Sequence, residues 1–332
     1  MNEFIICGKN ILIGYEKKPI SYNLLNFNLI KNKLTVLLGS NGVGKSTLIK
    51  TISQLLPKIS GDIKIYNKNI EEFSQEELSK TISVVLTDKI SAGGLTVEEL
   101  VSLGRQPYTG FLGKLSLNDK LLVTNAINSV KLSHKSNSFV ANLSDGEKQK
   151  ALIAKALVQE TEIIILDEPT AFLDISAKVE ILNLLRDLAQ NHNKTILLST
   201  HDIEYALKIA DYLWIINNDG LFCGQTEDMI LSGKIDLIFN NNLLKYNILT
   251  NTIENKFQFK KTAFLECNDD IVKILITNLL KRNGYKILAK KNDYDILIIV
   301  MSNNCFIIKN RLGEVREIEG FEEFEKVVSS NI

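Results

Sequence analysis

A glycine-rich segment with one lysine is the clearest candidate for chemistry in this 332-residue sequence. It reads Gly39-Ser40-Asn41-Gly42-Val43-Gly44-Lys45-Ser46-Thr47, between the apolar residues 34–38 and a segment typical of a helix start. Glycines let the backbone turn its N–H groups inward, and the positive end of the following helix points at the same place. The pattern predicts a phosphate-binding loop in which Lys45 reaches the β- and γ-phosphates and Ser46 can ligate Mg²⁺.

Acidic residues follow a second apolar segment. Residues 161–166 predict a strand, and Asp167 and Glu168 come directly after it. Because doubly wound folds bind ligands at the carboxyl ends of their strands, Asp167 can hold Mg²⁺ and Glu168 can orient or deprotonate a water. His201 ends the strand predicted over 194–199, where an imidazole can hydrogen-bond a γ-phosphate. Taken alone, an acid pair or a single histidine is more often structural.

A capped helix start is the third informative segment. Ser144 and Glu147, with Asp145 and Gly146 between them, have the spacing of a capping box. A helix N-terminus is also an anion site, and these residues alone fit either use. Asp174 stands at the start of the next predicted helix, residues 176–190.

Composition narrows the class of protein. Lys plus Arg and Asp plus Glu number 39 each, so no net charge favours nucleic acid. The four cysteines are far apart and have no metal-ligand spacing with the three histidines, which predicts reduced thiols in a cytosolic protein. The first residues lack the features of a signal peptide, and the apolar stretches are too short to span a bilayer. We therefore expect any membrane role to act through a partner.

The pattern of predicted elements indicates two domains, 1–257 and 258–332, with a helical insertion at about 96–142. In the insertion, helical periodicity predicts one apolar face composed of Leu117, Leu121, Leu122, Ala126 and Val130. In the C-terminal α+β domain, a helix over 270–282 is expected to bury Ile271, Ile274, Leu275, Leu279 and Leu280 on one face. No motif there carries chemistry, and a regulatory, dimerisation or docking role all remain open.

The motifs GSNGVGKST, LSDGEKQ, IIILDEPT, AFLD and STHD occur once each and in this order. Together they resemble the nucleotide-binding subunit of an ATP-binding cassette (ABC) transporter over roughly residues 1–256. The resemblance implies an α/β P-loop NTPase cassette with a RecA-like core, an antiparallel β subdomain and a helical subdomain.

The resemblance also implies roles for particular residues. They are adenine stacking by Tyr15, phosphate binding by residues 39–47 (Gly39, Ser40, Asn41, Gly42, Val43, Gly44, Lys45, Ser46 and Thr47), Mg²⁺ binding by Ser46 and Asp167, a base at Glu168, a switch histidine at His201, signature contacts by Ser144, Asp145, Gly146 and Glu147, and interface communication by Asp174. The family hydrolyses ATP with Mg²⁺ in a head-to-tail dimer, with each signature facing the other subunit's phosphate loop. The implied partners are a second copy, integral membrane permease subunits and, indirectly, a substrate-binding protein, on the cytoplasmic face of the inner membrane.

One position departs from the family pattern. Thr87 stands where members usually have a glutamine that helps to ligate Mg²⁺ and couples to the membrane subunit. Either Thr87 or Asp88 substitutes for that glutamine, or the ligand is dispensable. Asp145 and Lys148 also differ from the residues that many members have, but both are compatible with a helix start.

Residues 95–108 resemble the helical subdomain of importers for iron–siderophore complexes, haem and cobalamin. Two alternatives are weighed against this prediction. A soluble ATPase of the same superfamily, acting on DNA or the ribosome, usually carries a long coiled coil or a second cassette, and neither is found here. A nucleotide-gated regulatory subunit without turnover is compatible with Thr87, but Glu168 and His201 argue against it.

Overall fold

The computed structural model describes residues 3–16, 18–20, 23–86, 94–110, 113–239, 243–256, 259–291 and 293–330. The chain divides into two compact units, one of residues 1–241 and 246–253 and the other of residues 242–245 and 254–332. None of the described helices is both long enough and apolar enough to cross a membrane.

The first unit begins with strands and continues with both strands and helices. Its strands are β1 (Phe4–Leu12), β2 (Gly14–Tyr15), β3 (Lys18–Pro19), β4 (Leu25–Ile30), β5 (Leu34–Leu38), β6 (Ser60–Ile65), β7 (Lys68–Asn69), β8 (Ile82–Val85), β9 (Ile163–Leu166), β10 (Thr195–Ser199), β11 (Tyr212–Asn217) and β12 (Gly220–Gln225). Its α-helices are α1 (Lys45–Ile52), α2 (Gln75–Thr81), α3 (Val97–Ser102), α4 (Leu117–Ser129), α5 (Asp145–Leu157), α6 (Ile175–Asn191), α7 (Ile203–Ile209) and α8 (Thr226–Leu231). Short 3₁₀ helices lie at Ile70–Glu72, Leu103–Tyr108, Ser133–Lys135, Val140–Asn142 and Lys234–Ile238.

A six-stranded sheet is the centre of this unit. Its strand order is β12-β11-β5-β10-β9-β8, and all neighbours are parallel except β12, which is antiparallel to β11. Every residue of β5, β9 and β10 is buried, as expected for parallel strands covered on both faces. Alternate side chains enter different cores: Val36 and Leu38 pack with residues of α5 and α6, whereas Leu37 packs on the opposite face.

An antiparallel sheet covers that opposite face. Its order is β4-β1-β6-β7, and its inward residues share one core with α1. The rings of Phe27 on β4 and Trp214 on β11 have centroids 5.0 Å apart, which places aromatic packing between the two sheets. With the central sheet, this arrangement forms the predicted cassette core with its antiparallel β subdomain.

A buried arginine organises the helical insertion. Arg105 Nε donates to Asp119 Oδ1 at 2.8 Å, and its Nη1 donates to the carbonyl of Val158 and to Glu160 Oε2, each at 2.8 Å. Its guanidinium also lies 4.0 Å from the centroid of the Tyr108 ring. These contacts join α4 to the end of α5, since a desolvated guanidinium needs its donors satisfied.

The predicted apolar face of α4 is confirmed only in part, since Ala126 and Val130 are buried as expected but Leu117 and Leu121 are not. The helix buries Asp119, Val123, Ala126 and Ile127, whereas Leu117 is 87% and Leu121 59% exposed. The reason is that Asp119 both caps the helix through Ser116 and pairs with Arg105, so the rotation of the helix follows that carboxylate. Hydrogen bonds from Ser116 and the contact with Arg105 lower the pKa of Asp119.

Three strands after residue 240 had no counterpart in the sequence prediction. Strands β13 (Leu244–Asn247) and β14 (Thr252–Asn255) form a two-stranded sheet within a polar stretch that was expected to be a boundary. The short strand β16 (Tyr285–Ile287) follows the helix Asp270–Arg282. Strands β13 and β16 alternate apolar and polar residues over only four and three positions, which is too short a run to predict a strand with any certainty.

The second unit is a five-stranded α+β fold. Its elements are β15 (Lys261–Glu266), α9 (Asp270–Arg282), β16, β17 (Ile296–Ser302), β18 (Cys305–Asn310), β19 (Val315–Glu319) and α10 (Phe321–Ser329). The strand order is β16-β15-β17-β18-β19, with β16 and β17 parallel to β15 and the remaining pairs antiparallel. A separate core fills it, and Phe306 packs there between Phe321 and Phe324.

Helix α9 has the predicted bounds, and its buried face matches the prediction at Leu279 and Leu280 only. Val272, Ile276, Leu279 and Leu280 are buried, whereas Ile271, Ile274 and Leu275 are 72%, 60% and 49% exposed. The helix is apolar on two adjacent faces, so periodicity alone does not decide which face meets the sheet.

The assignment of the buried face of α9 can be tested directly. Ile276→Ala should destabilise the second unit by about 2–5 kcal/mol because it leaves a cavity in a fully buried site, whereas Ile271→Ala should change its stability by less than about 0.5 kcal/mol. Hydrogen exchange of the β15–β19 amides in the full-length chain measures both effects. Equal losses of protection in the two variants would show that the buried face of α9 is assigned wrongly.

Candidate active site

The phosphate loop lies at the carboxyl end of β5, in the middle of the central sheet. Gly42 and Gly44 have φ angles of +79° and +109°, a backbone region that side chains rarely adopt. A Cβ at Gly39 would lie 2.5 Å from the carbonyl oxygen of Ile216. The glycines are thus required by the shape of the loop, which turns directly into α1 at Lys45.

Lys45 is buried beneath this loop. Its Nζ donates to the carbonyls of Gly39 at 2.9 Å and Ser40 at 3.2 Å, and it lies 3.7 Å from Glu168 Oε1. Burial lowers the pKa of Lys45, and the carboxylates of Glu168 and Asp167 oppose that effect. The ammonium group therefore lies between the loop and the acidic pair.

The acidic pair follows β9, as predicted. Asp167 is 4% exposed, and its backbone N–H donates to the carbonyl of Val85 on β8 at 2.8 Å. Glu168 has a φ angle of +46°, which is strained for a residue other than glycine. Its backbone N–H donates to Ser199 Oγ at 2.9 Å, and Ser199 Oγ donates to Asp167 Oδ1 at 2.7 Å.

His201 comes from the neighbouring strand, as the sequence suggested. Strand β10 is parallel to both β9 and β5, which places its carboxyl end between theirs. His201 Nδ1 lies 3.5 Å from Glu168 Oε2, and its ring is about half exposed. Glu168 is consequently flanked by an ammonium on one oxygen and an imidazole on the other.

Tyr15 and Thr47 connect the antiparallel region to the loop. Thr47 Oγ1 donates to the Tyr15 hydroxyl at 3.4 Å, and Tyr15 is half exposed. An exposed aromatic ring at the phosphate loop is suited to stacking on a base, which is the position that the sequence assigned to Tyr15.

The signature residues form the predicted capping box at the start of α5. Ser144 Oγ accepts from the N–H of Glu147 at 3.3 Å, and Glu147 Oε2 accepts from the N–H of Ser144 at 2.9 Å. The latter bond is the main reason that the pKa of Glu147 is lowered. A Cβ at Gly146 would lie 3.0 Å from Cβ of Ala177, so this helix start packs against the first turn of α6.

Asp174 caps that same turn of α6. Its Oδ1 accepts from the N–H of Ala177 at 2.8 Å. Ser144, Gly146 and Asp174 therefore belong to one small region at the start of two adjacent helices. This region lies at α5 and α6. The contacts of a second group of residues instead join the carboxyl ends of β5, β9 and β10; that group is Lys45, Asp167, Glu168 and His201.

One residue in direct contact with the acidic pair was not identified from the sequence. Ser199 is fully buried, and its hydroxyl contacts both Asp167 and Glu168. The available signal was a hydroxyl at the end of an otherwise apolar strand predicted beside the acidic pair. Thr87 and Asp88 lie outside the described residues.

Comparison with known proteins identifies the family. The model of the ABC transporter family matches residues 22–171. An uncharacterised ABC transporter ATP-binding protein of Methanocaldococcus jannaschii is 38% identical over 210 residues, which cover 63% of this chain and 72% of that protein. The achromobactin transport ATP-binding protein of Dickeya dadantii is 34% identical and covers 71% and 87%, and the iron(3+)-hydroxamate import ATP-binding protein of Bacillus subtilis is 35% identical and covers 60% and 74%.

Solved structures agree in fold. The protein cbiO1 from Clostridium perfringens, part of the ABC transporter complex cbiONQ, has a TM-score of 0.61 and 28% identity over 70% of this chain and 93% of its own. A dimeric ABC cassette bound to ADP and phosphate has a TM-score of 0.59 at 24% identity, covering 67% of this chain and 98% of its own, which supports the fold alone. The chain therefore belongs to the ABC transporter family, as an ATP-binding subunit that hydrolyses ATP.

Proposed function

We propose that this chain binds Mg²⁺–ATP and uses its hydrolysis to energise import of an iron–siderophore complex or a related haem- or cobalamin-type ligand. The observation that carries the hydrolytic part is the meeting of Lys45, Asp167, Glu168 and His201 at one edge of the central sheet. The names of the relatives from Dickeya dadantii and Bacillus subtilis support the class of ligand.

Phosphate binding is assigned to the loop and Lys45. Inward backbone N–H groups, the N-terminus of α1 and a buried ammonium together favour anionic oxygens. Phosphate oxygens are stronger acceptors for Lys45 than the carbonyls of Gly39 and Ser40 that it now contacts. Tyr15 is assigned to the adenine ring.

The residues present fit a magnesium ion. Ser46 lies in the first turn of α1, and the Asp167 carboxylate is close enough to Lys45 in the phosphate loop to oppose the lowering of its pKa by burial. A hydroxyl and a carboxylate are hard oxygen donors, which suit Mg²⁺. When bound there, the ion neutralises charge on the phosphate oxygens. Thr87 or Asp88 is the proposed replacement for the usual glutamine.

Glu168 is assigned as the general base. It accepts a proton from the attacking water as that water's oxygen bonds to the γ-phosphorus and the bond to the ADP oxygen breaks, which gives ADP and phosphate. Lys45 and His201, at 3.7 and 3.5 Å from its two oxygens, hold the carboxylate in place. His201 also faces the position where the γ-phosphate is expected.

A second copy is proposed to complete each site. The start of α5 offers an anion-binding helix end, but its contacts within the chain are with α6. In a head-to-tail dimer, Ser144, Asp145, Gly146 and Glu147 of one copy would face the phosphate loop of the other, with Asp174 at the interface. We place this dimer on the cytoplasmic face of the inner membrane, under permease subunits that receive ligand from a substrate-binding protein.

The domain assignment remains as proposed from the sequence. Residues 1–257 are the cassette, with its helical subdomain at about 96–142, and residues 258–332 are an accessory domain. The division of the structure into two compact units supports this assignment.

The role of Glu168 can be tested in the full-length chain. Glu168→Gln keeps the size of the side chain but removes the base, so we expect the ATPase rate to fall by about 100-fold or more with ATP affinity retained. Steady-state phosphate release and equilibrium dialysis with labelled ATP give the two quantities. Glu76→Gln, an exposed glutamate paired with Lys80, should leave both unchanged. A Glu168→Gln variant as fast as the wild type would exclude the assignment.

The head-to-tail dimer can be tested by mixing variants. Lys45→Ala damages the phosphate loop and Ser144→Arg the signature, so each homodimer should be inactive, but a mixed dimer has one intact site. Equal amounts should restore at most about a quarter of the wild-type rate, because half of the dimers are mixed and each has one of two sites.

A second mixture is the control for this experiment. Lys45→Ala with Glu168→Gln puts both defects in the same half of the site, so no mixed dimer regains an intact one. Recovery in both mixtures, or in neither while each variant is folded and binds the wild-type chain, would contradict the head-to-tail arrangement.

The ligand class requires a transport measurement. In cells lacking this chain, uptake of ⁵⁵Fe-hydroxamate, haem and labelled cobalamin should be compared after supplying the wild type or Glu168→Gln. We expect the wild type alone to restore uptake of one ligand, with iron–siderophore as the leading candidate. Unchanged uptake of all three would refute the ligand class but leave the ATPase assignment intact.

A further inference from the structure

Ser199 lies where it can fix the geometry of the acidic pair. Strand β10 pairs with β9 in the register Leu198 to Leu166, so the next residues along the two strands are Ser199 and Asp167. Ser199 is fully buried. Its hydroxyl donates to Asp167 Oδ1 at 2.7 Å and accepts the N–H of Glu168 at 2.9 Å, which uses the hydroxyl as donor and acceptor at once.

The backbone at Glu168 explains why this contact matters. Its φ angle of +46° is unfavourable for a glutamate, and such strain persists only where surrounding contacts determine it. The turn directs the Glu168 carboxylate to Lys45 Nζ and His201 Nδ1, at 3.7 and 3.5 Å. The hydroxyl of Ser199 is the partner of the N–H at the centre of that turn.

A second buried serine shows what a purely structural hydroxyl looks like here. Ser83 on β8 is 1% exposed, and its Oγ accepts from Thr161 Oγ1 at 3.0 Å. That pair joins neighbouring chain segments but contacts neither Asp167 nor Glu168. Ser83 therefore matches Ser199 in burial and chemistry while lacking its connection to the acidic pair.

We infer that Ser199 is a positioning residue for ATP hydrolysis that acts through Glu168, because it holds the left-handed turn at Glu168 by linking that turn to Asp167. The inference rests on the proposed role of Glu168 as base. Without the hydroxyl, the buried N–H of Glu168 loses its partner and Asp167 loses a donor. The turn then relaxes, and the carboxylate moves away from the place at which it meets the attacking water.

The test compares alanine variants of the two serines in the full-length chain. Ser199→Ala should lower kcat by about 10- to 100-fold, since misplacing a reacting group by about 1 Å has effects of this size, with the KM for ATP changed less than about threefold. Ser83→Ala should leave kcat within about twofold. Ser199→Thr retains the hydroxyl on a side chain suited to a strand and should recover most of the loss.

A double-mutant cycle separates positioning from general damage. If Ser199 acts through Glu168, adding Ser199→Ala to Glu168→Gln should lower the single-turnover rate of Glu168→Gln by less than about twofold. A further tenfold loss there would overturn the inference, as would an unchanged kcat in Ser199→Ala. Thermal unfolding checks each variant. If Ser199→Ala does not fold, the same criteria are applied to Ser199→Cys. This variant keeps the shape of the side chain but replaces the hydroxyl with a weak S–H donor.

The cycle also distinguishes this inference from the assignment on which it rests. A Glu168→Gln variant with wild-type turnover removes the proposed base and the inference together. A slow Glu168→Gln variant beside a Ser199→Ala variant of normal kcat removes only the role of Ser199.

Discussion

The position of β10 between β5 and β9 is the constraint on which this site depends. Parallel strands end at the same edge of a sheet, so this order brings together the loop before Lys45, the acidic pair at Asp167 and the segment that begins at Ser199. Asp167 lies more than a hundred residues after Lys45, and Ser199 lies 32 residues after Asp167, so no local interaction joins the three segments. The site is therefore assembled by the same non-local pairing that forms the central core.

The buried ammonium of Lys45 is the main electrostatic consequence of that assembly. Burial lowers its pKa, and the carboxylates of Glu168 and Asp167 act in the opposite direction. Two loop carbonyls and Glu168 supply the polar partners that a desolvated ammonium requires. Since those carbonyls belong to the phosphate loop itself, the positive charge is held where phosphate is expected, and little rearrangement is needed to bind it.

Features fixed by neighbouring residues were predictable from the sequence, and features fixed by distant ones were not. The capping boxes at Ser74, Thr96 and Ser144 form because each needs only residues three positions apart. The rotation of α4 follows the pairing of Asp119 with Arg105, which no periodicity reveals. Ser199 was missed for a similar reason: its partners become visible only when the register of β9 and β10 is known.

Helix α6 contacts two regions of the chain that are assigned to different ATP sites of the proposed dimer. Its first turn packs against the signature through Ala177 and Gly146. One residue further on, Lys178 Nζ lies 3.4 Å from Asp202, which directly follows His201. In a head-to-tail dimer the signature serves the partner's ATP and His201 serves the chain's own. A shift of the first turn of α6 would then change the geometry of both sites, because a packed helix moves as one body more readily than it deforms. Asp174 caps this same turn, so a change at Asp174 would act on both contacts of the turn, the one at Gly146 and the one at Asp202.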